Sequence, residues 1–454
     1  MDRVVYVVSD LHLGPGWLPN GELDPLEDFT ADEAFKAFLT EIGTTGTPVE
    51  LVIAGDFLEY CQTLPELGHA SPEDSLGCSE EESLRRTKVI LGQHPEISSG
   101  HPLVFQALRE FMAEGNSVTI IAGNHDIDLL WDSVWALLFE AIYPPGSCGD
   151  LRLVNFSYTV GRGKGKVYIE HGHEHDKANR FGDQMSQPFG MDRMGTRRLK
   201  RCWGTLFVDK VYNQLERERW FIDNVKPIPR VIQMGLRHDF GFTATALGLV
   251  ARFLLTSGLP PLLGAGDSYA DTGIPAPPTE EVVASIADPD LKAHLERQLA
   301  DPAFRAEFQQ TIEGAGVVEL AAALGGAGPQ LTLDDVSVVT GGEVILGGGA
   351  PEDAYRAAAR AVLENDPDVT TVIMGHTHGP IDGYVAPLDR PDGSQGYYFN
   401  TGTWTRHLKD EGSRSYSWPD LAVEENYTSS LTYVKLEPDA DGAYRPTLRN
   451  WAKS

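Results

Sequence analysis

At residues 51–59 the chain reads Leu51-Val52-Ile53-Ala54-Gly55-Asp56-Phe57-Leu58-Glu59. Its first four residues form a short apolar run, which is typical of a buried β-strand when a turn signal follows. Gly55 supplies that signal, because glycine allows the tight turn that ends such a strand. The stretch therefore predicts a central strand that delivers the Asp56 carboxylate from its C-terminal end, in a position to bridge two metal ions.

Four other short segments follow strand-like runs in the same way. They are Asp10-Leu11-His12, Gly123-Asn124-His125-Asp126, His171-Gly172-His173 and Gly375-His376-Thr377-His378. Any one of them alone predicts little, because a strand-end Asp or His is usually solvated or satisfied locally. All five segments in this order indicate one composite site at the ends of several strands.

In their order, these D-x-H, G-D-x-x-E, G-N-H-D, H-G-H and G-H-x-H segments resemble the calcineurin-like metallophosphoesterases. The resemblance covers about residues 1–180 and 366–454. It implies an α/β fold, in which two mixed sheets form a four-layer α/β/β/α sandwich. On this prediction the two covered ranges form the catalytic domain, and residues 181–365 form a large, mostly helical insert or lid.

The resemblance also implies a site for two divalent metal ions. It assigns one ion to Asp10, His12, Asp56 and His378, and the other to Asp56, Asn124, His171 and His376. Oxygen and imidazole donors without a thiolate suit Mn, Fe or Zn, and we expect Mn to support activity in vitro. Two such cations neutralise phosphoryl charge and lower the pKa of bound water to about 7. A hydroxide between the metals is therefore the implied nucleophile.

His125 is left over from metal binding in this assignment, so it is the candidate general acid or electrostatic partner of the leaving group. Glu59 matches the family position that orients this histidine, and a carboxylate bound to an imidazole fixes its tautomer. The alternative for Glu59 is an ordinary salt bridge at the rim. Further candidates for substrate contacts are Asp126, His173, Arg197 and Arg198. For His173, a satisfied structural histidine is the commoner identity.

The beginning of the insert, at residues 195–223, mixes basic and apolar residues. Arg197, Arg198, Lys200 and Arg201 stand among Leu199, Trp203, Phe207 and Val211, and this mixture predicts a basic amphipathic helix. One interpretation places the helix on an anionic membrane surface or an acidic head group. The commoner case is a lid helix packed on the core with its charges in water.

Composition sets expectations for partners and compartment. The net charge is −29, with 66 acidic and 37 basic residues, so the average field repels polyanions and no nucleic-acid partner is expected. The 4 cysteines are scattered without a C-x-x-C spacing, which indicates reduced thiols. The chain enters a strand at once, which leaves no room for a signal peptide. We therefore expect a cytoplasmic protein, with the insert as its one means of peripheral contact with the inner membrane surface.

The motifs also narrow the substrate class. G-D-F-L-E with H-G-H-E-H-D resembles the branch that includes the UDP-2,3-diacylglucosamine pyrophosphatases, although that branch has Arg where this chain has His125 and lacks the large insert. We expect a small phosphorylated substrate, linked to a nucleotide or a lipid, and a reaction of the phosphodiesterase or nucleotide-pyrophosphatase type. The alternatives are a phosphomonoesterase and a non-catalytic scaffold that uses the fold to bind a partner.

Overall fold

The computed structural model describes residues 3–222 except 45, 72 and 177, residues 224–225, residues 351–409 except 391, residues 416–451, and scattered positions between 234 and 305. The strands are β1 Val5–Val8, β2 Glu50–Ala54, β3 Leu76–Ser79, β4 Ser117–Ile121, β5 Leu151–Val154, β6 Ser157–Val160, β7 Lys166–Glu170, β8 Phe189–Met191, β9 Arg197–Lys200, β10 Val369–Met374, β11 Leu388–Asp389, β12 Gln395–Asn400, β13 Arg406–Leu408, β14 Tyr427–Ser429, β15 Thr432–Pro438 and β16 Tyr444–Asn450. The α-helices are α1 Asp32–Gly43, α2 Glu80–Ile90, α3 Pro102–Ala113, α4 Asp132–Ile142, α5 Trp203–Phe207, α6 Asn213–Glu218 and α7 Pro351–Asn365.

Two mixed sheets carry the site. The larger sheet has the order β16-β15-β1-β2-β4-β5, and the smaller has the order β11-β12-β10-β7-β6. In the larger sheet β1, β2, β4 and β5 run parallel, and in the smaller sheet β7, β10 and β12 run parallel. Parallel strands end at one edge of their sheet, so the segments after β1, β2 and β4 meet at one edge, and those after β7 and β10 meet at another.

Alternation along the strands builds the layers. Val5 and Val7 of β1 lie in an apolar cluster shared with residues of the smaller sheet, whereas Tyr6 and Val8 lie in a cluster shared with helices α1, α3 and α4. Such alternation follows because successive side chains of a strand point to opposite faces. Helix α7 covers the outer face of the smaller sheet through a third cluster that includes Tyr355. The predicted four-layer sandwich of two mixed sheets is thereby confirmed.

Contacts between Cα atoms divide the chain into two compact units. One comprises residues 1–209, 347–406 and 428–454, and the other residues 210–346 and 407–427. In the second unit, Trp418 packs against Phe221 and Phe242, and Trp220 packs against Tyr427. The domain boundaries predicted at 181 and 365 stay a prediction. Much of the predicted helical insert lies outside the described residues.

The predicted basic amphipathic helix at 195–223 is wrong over its first part. Residues 197–200 form strand β9, which pairs with β8 and with β3 in a three-stranded sheet. The cause is the turn before it, where Gly195 has a φ of +83° and Asp192 Oδ1 accepts hydrogen bonds from the backbone of Met194 (2.9 Å) and Thr196 (2.8 Å). This turn reverses the chain into a hairpin, and Arg197 and Arg198 consequently lie on a strand. No helix in the described part of the chain is both long and apolar enough to span a membrane.

Candidate metal centre

The first group of candidate ligands comes from the ends of β1 and β10. The potential ligand atoms of Asp10, His12 and His378 lie within 4.8 Å of one another. His378 Nε2 is 3.4 Å from Asp10 Oδ1 and 3.2 Å from His12 Nε2. The Asp10 carboxylate is held in place by Ser9 Oγ and by the backbone N–H of His376, at 3.0–3.1 Å. Two segments far apart in the sequence thus meet at one point.

The second group comes from the ends of β2, β4, β7 and β10. Asp56, His171 and His376 have potential ligand atoms within 4.8 Å of one another. His171 Nε2 lies 3.1 Å from Asp56 Oδ2 and 3.2 Å from Asn124 Oδ1, which adds the amide oxygen to the group. All seven predicted metal ligands are therefore brought together, in the two groups that the resemblance assigns.

Asp56 lies between the two groups. Its Oδ2 is 3.1 Å from His171 Nε2 and 3.7 Å from His12 Nε2, and its Oδ1 accepts a hydrogen bond from the backbone N–H of His125 at 2.9 Å. The side chain is 1% exposed. One carboxylate thus faces histidines of both groups, as a bridging ligand must.

The close approach of these segments depends on glycine at two places. A Cβ at Gly123 would overlap Asp56 Oδ1, and a Cβ at Gly55 would overlap the ring of His171. Gly55 also has a φ of +91°. Any larger residue at either position would push a ligand out of the cluster.

The backbone at the ligands is itself unusual. Asp10, His12, Asp56, His376 and His378 have φ values between 49° and 69°, in the left-handed region. For residues other than glycine, this region costs free energy and persists only where the surroundings enforce it. In the described part of the chain the only other non-glycine residues with positive φ are Leu64 and Leu431. The unusual conformation is therefore concentrated at the site.

The donor set fits divalent cations. His171 Nδ1 donates to the carbonyl of Ala54 at 2.9 Å, and His12 Nδ1 lies 2.8 Å from Glu59 Oε2, so in each neutral ring the Nε2 lone pair faces the cluster. Lone pairs of His12 and His378 at 3.2 Å repel unless a cation or a proton lies between them. The buried Nδ1 of His376 also has no hydrogen-bond partner among the described residues. Metal-binding histidines show the same pattern, with one nitrogen held by a hydrogen bond and the other available.

The charges of the cluster depend on one another. Burial raises the pKa of Asp56, but the histidines around it, His171 first, outweigh burial and hold that pKa well below its usual value. Burial likewise opposes protonation of His171, yet the Asp56 carboxylate raises the pKa of this imidazole to about 9. Buried carboxylates of this kind require positive charge close by, and cations supply it.

Glu59 connects the two histidines on its side of the cluster. Its Oε2 lies 2.6 Å from His125 Nδ1 and 2.8 Å from His12 Nδ1, while its Oε1 accepts backbone hydrogen bonds from Cys61 (2.8 Å) and Gln62 (3.1 Å). The carboxylate is thus fixed at one oxygen and orients two imidazoles with the other. The second contact, to His12, was not predicted, since sequence spacing does not show which histidines share a partner.

The predicted substrate contacts lie in well-packed surroundings. Asp126 is buried and accepts hydrogen bonds from the backbone of Gly123 (2.6 Å) and Phe57 (2.8 Å), so it joins two of the ligand loops. Burial raises the pKa of this carboxyl to about 7. His173 is buried and packs its ring against Phe181.

The two predicted arginines have partners on the protein. Arg198 is paired with Asp192 at 2.7 Å and with Glu82 at 2.9 Å, and it anchors the hairpin to α2. The guanidinium of Arg197 lies over the ring of Phe189, 3.9 Å from its centroid. A role of these four residues in substrate contact stays a prediction.

A shallow side pocket opens beside His125, and together with the solvent at its mouth it spans about 450 Å³. Its lining includes Asn124 and His125 at the metal cluster, Arg86 from α2, and residues 199–201, Thr205 and Asp209 beyond them. The pocket was not predicted, because its wall forms only when β9 pairs with β3. Asp176 was likewise missing from the predicted ligands, although its Oδ2 lies 3.3 Å from His376 Nε2.

Comparison with known proteins gives one family. The family described as calcineurin-like phosphoesterase matches residues 3–245, more than half of the 454 residues. None of the curated proteins matches the chain. Among solved structures, one match is a protein of unknown function from Aquifex aeolicus, with 15% identity and a TM-score of 0.20, over 41% of this chain and 70% of that one. A likeness this weak carries no argument about function.

Proposed function

The chain belongs to the calcineurin-like phosphoesterase family, and from this premise we propose that it hydrolyses phosphodiester or phosphoanhydride bonds with two divalent cations, Mn among them in vitro. The coarser activity, metal-dependent hydrolysis of a phosphoester, follows from the family together with the clustered His and Asp ligands. The finer assignment, to a phosphodiesterase or nucleotide pyrophosphatase, is our proposal.

One observation carries the proposal. The Asp56 carboxylate faces imidazoles of both ligand groups, at 3.1 and 3.7 Å. A scaffold without catalysis needs no such convergence, and a buried cluster of this kind costs stability unless cations compensate its charge. The intact ligand set therefore supports an enzyme over the scaffold alternative.

When bound, two cations neutralise phosphoryl charge and lower the pKa of water toward neutrality. Asp10, His12, Asp56 and His378 would hold one of them. Asp56, Asn124, His171 and His376 would hold the other. The chain's own contribution is to fix these donors through hydrogen bonds such as His171 Nδ1 to Ala54 and His12 Nδ1 to Glu59.

His125 supplies the remaining function of such a site. Its backbone N–H is fixed on Asp56 at 2.9 Å, and its Nδ1 is fixed on Glu59 at 2.6 Å. With Nδ1 engaged, Nε2 is the nitrogen left to interact with a leaving-group oxygen or to give it a proton. Burial opposes protonation of this imidazole, but Glu59, Cys61 and Asp56 together outweigh burial and raise the pKa of His125 well above its usual value. A protonated His125 suits the role of general acid.

The test is Mn-dependent hydrolysis of bis(p-nitrophenyl) phosphate against p-nitrophenyl phosphate, with chelator controls. The proposal expects faster turnover of the diester and loss of both activities with chelator. Faster turnover of the monoester would favour a phosphatase, and no turnover of either substrate by a chain shown to hold metal would contradict the proposal.

A further inference from the structure

The side pocket beside His125 has a basic wall in a strongly acidic protein. Of its described lining residues, Arg86, Lys200 and Arg201 are cationic, and Asp128 and Asp209 are anionic. The net charge of the whole chain is −29. The pocket lining therefore has more cationic than anionic side chains, whereas the chain as a whole is strongly negative.

The anionic residues of the pocket are already engaged. Asp209 Oδ2 lies 3.0 Å from Arg201 Nη1, and its Oδ1 lies 3.4 Å from His69 Nε2. Asp128 Oδ1 accepts a hydrogen bond from Ser83 Oγ at 2.5 Å. Neither carboxylate has a close ion pair with Arg86 among the described residues.

Arg86 is the charged group of the pocket whose hydrogen-bond donors are incompletely paired by these contacts. It is 6% exposed, its Nη2 donates to the carbonyl of Leu64 at 3.3 Å, and its Nε has no hydrogen-bond partner among the described residues. A guanidinium has five N–H donors and does not lose its charge. Leaving one donor buried without an acceptor costs free energy, so an acceptor brought by a ligand would remove that cost.

We propose that the side pocket binds a phosphate carried by the leaving group of the substrate, with Arg86 as its principal receptor. The substrate class is then a phosphoanhydride, in which the group that departs past His125 bears a phosphate of its own. This inference rests on the proposed function. The inference narrows the proposed function to the hydrolysis of phosphoanhydrides, the nucleotide-pyrophosphatase type, rather than simple diesters.

The position of the pocket supports this assignment. Asn124, a candidate metal ligand, and His125, the candidate acid, both line it, so the pocket is continuous with the reacting centre. A leaving group in contact with His125 would extend into this space. Guanidinium groups bind phosphate oxygens with paired N–H donors, so arginine is well suited to the second phosphate.

The experiment compares two substrates on the metal-loaded, full-length chain. ADP-ribose has a leaving group with its own phosphate, and bis(p-nitrophenyl) phosphate does not. We expect Arg86→Gln to lower the ratio of kcat/KM for ADP-ribose to kcat/KM for the diester by about 10- to 100-fold, the scale of a lost charged hydrogen bond. Arg86→Lys should restore part of the ratio, because the charge returns without the planar fork.

Arg85→Gln is the matched control. It removes the same charge from the neighbouring position of α2, where the side chain is exposed, and it should leave the ratio unchanged. An unchanged ratio in Arg86→Gln, or an equal loss on both substrates, overturns the inference. If Arg86→Gln does not fold, a ratio in Arg86→Lys equal to that of the unaltered chain overturns it.

Failure of the inference and of the proposed function can be told apart. Turnover of the diester without turnover of ADP-ribose overturns the inference alone. If neither substrate is turned over, calorimetric binding of ADP-ribose to the metal-loaded chain still decides the matter. Weaker binding by Arg86→Gln than by Arg85→Gln supports the inference, and equal binding or no binding overturns it.

Discussion

Among the described residues, two buried clusters combine histidine with carboxylates, and one of these two has the features of a site. In the strand-end cluster, imidazole nitrogens face one another and share the Asp56 carboxylate. In the other cluster, both ring nitrogens of His101 have carboxylate partners, Asp32 at 2.9 Å and Glu27 at 3.0 Å. The residue types are the same, but in the second cluster both nitrogens of the histidine are paired with carboxylates.

The comparison teaches that completeness separates structural clusters from functional ones. Glu27 also accepts backbone hydrogen bonds from Gly16 and Phe29, both at 2.7 Å, and it is fully buried. The His101 cluster therefore fixes the 14–31 loop to the start of α3. In the strand-end cluster the Nε2 atoms of His12 and His378 face each other at 3.2 Å, and a cation between them removes their repulsion. Substitutions in the strand-end cluster should change activity, and substitutions in the His101 cluster should change stability.

The largest effect on activity is expected from Asp56→Asn. An amide cannot supply the negative charge that faces both ligand groups, so metal stabilisation worth several kcal/mol is lost, and kcat/KM should fall by at least ~10³-fold. Metal analysis should show fewer than two ions per chain, while circular dichroism shows an intact fold. Asp441→Asn, an exposed change in the β15–β16 turn, is the control. Full activity in Asp56→Asn would remove Asp56 from the site.

The next effect is expected from His125→Gln. This substitution removes the candidate acid but leaves the predicted ligands, so kcat should fall by about 10²–10⁴-fold with metal content unchanged. A diester with a poor leaving group, such as a methyl ester, should lose more activity than a p-nitrophenyl ester, because a good leaving group needs no proton. Equal losses on both esters would contradict the role of general acid.

Glu59→Gln should have a smaller effect. It keeps the shape of the side chain but weakens the hold on His12 and His125, and partners of this kind contribute about 10- to 100-fold to metal affinity or activity. Steady-state kinetics at several Mn concentrations should show both a lower kcat and weaker metal dependence. Unaltered kinetics would favour the alternative, in which Glu59 forms only a structural salt bridge.

The smallest effect on activity, and a large effect on stability, is expected from His101→Gln. Removing one partner of a buried ion pair costs about 3–5 kcal/mol, so Tm should fall while kcat/KM stays within about 2-fold. Thermal melts and diester turnover of the same preparation test this. A loss of activity without a decrease in Tm would contradict the structural role assigned to the His101 cluster.

The same residue predicts a dependence of stability on pH. Burial opposes protonation of His101, but Glu27 and Asp32 outweigh it and raise the pKa of this imidazole to about 10. A folded-state pKa above the unfolded value means that the contribution is fully present below about pH 6.5 and is lost as pH rises toward 10. Tm should therefore decline over this window, and less so in His101→Gln. An equal decline in both proteins would contradict the assignment.

The strand-end cluster could be predicted from the sequence because each ligand follows an apolar run that is visible locally. Val5–Val8 leads to Asp10, and Leu51–Ala54 leads to Asp56, so the local sequence shows both the strand and the ligand that follows it. Parallel pairing then brings the ends of β1, β2 and β4 to one edge of the larger sheet, and the ends of β7 and β10 to one edge of the smaller sheet.

The rest of the site depends on contacts between distant segments. Arg86 reaches the pocket from the middle of α2, and the wall beyond it exists because Leu76 of β3 pairs with Lys200 of β9. Nothing in the local sequence of either strand shows that pairing. The helix predicted at 195–223 was wrong over its first part for a related reason, since the Asp192 turn reverses the chain into strand β9.

The left-handed backbone of the ligand residues places thermal stability and metal binding in opposition. Asp10, His12, Asp56, His376 and His378 each occupy a conformation that glycine adopts without penalty. Relief of that penalty is worth roughly 1–2 kcal/mol per residue, so a screen for heat-resistant variants should favour glycine at these five positions. Such variants would melt later and bind no metal. Thermostabilisation of this protein therefore has to exclude these five positions from the library and look for gains elsewhere.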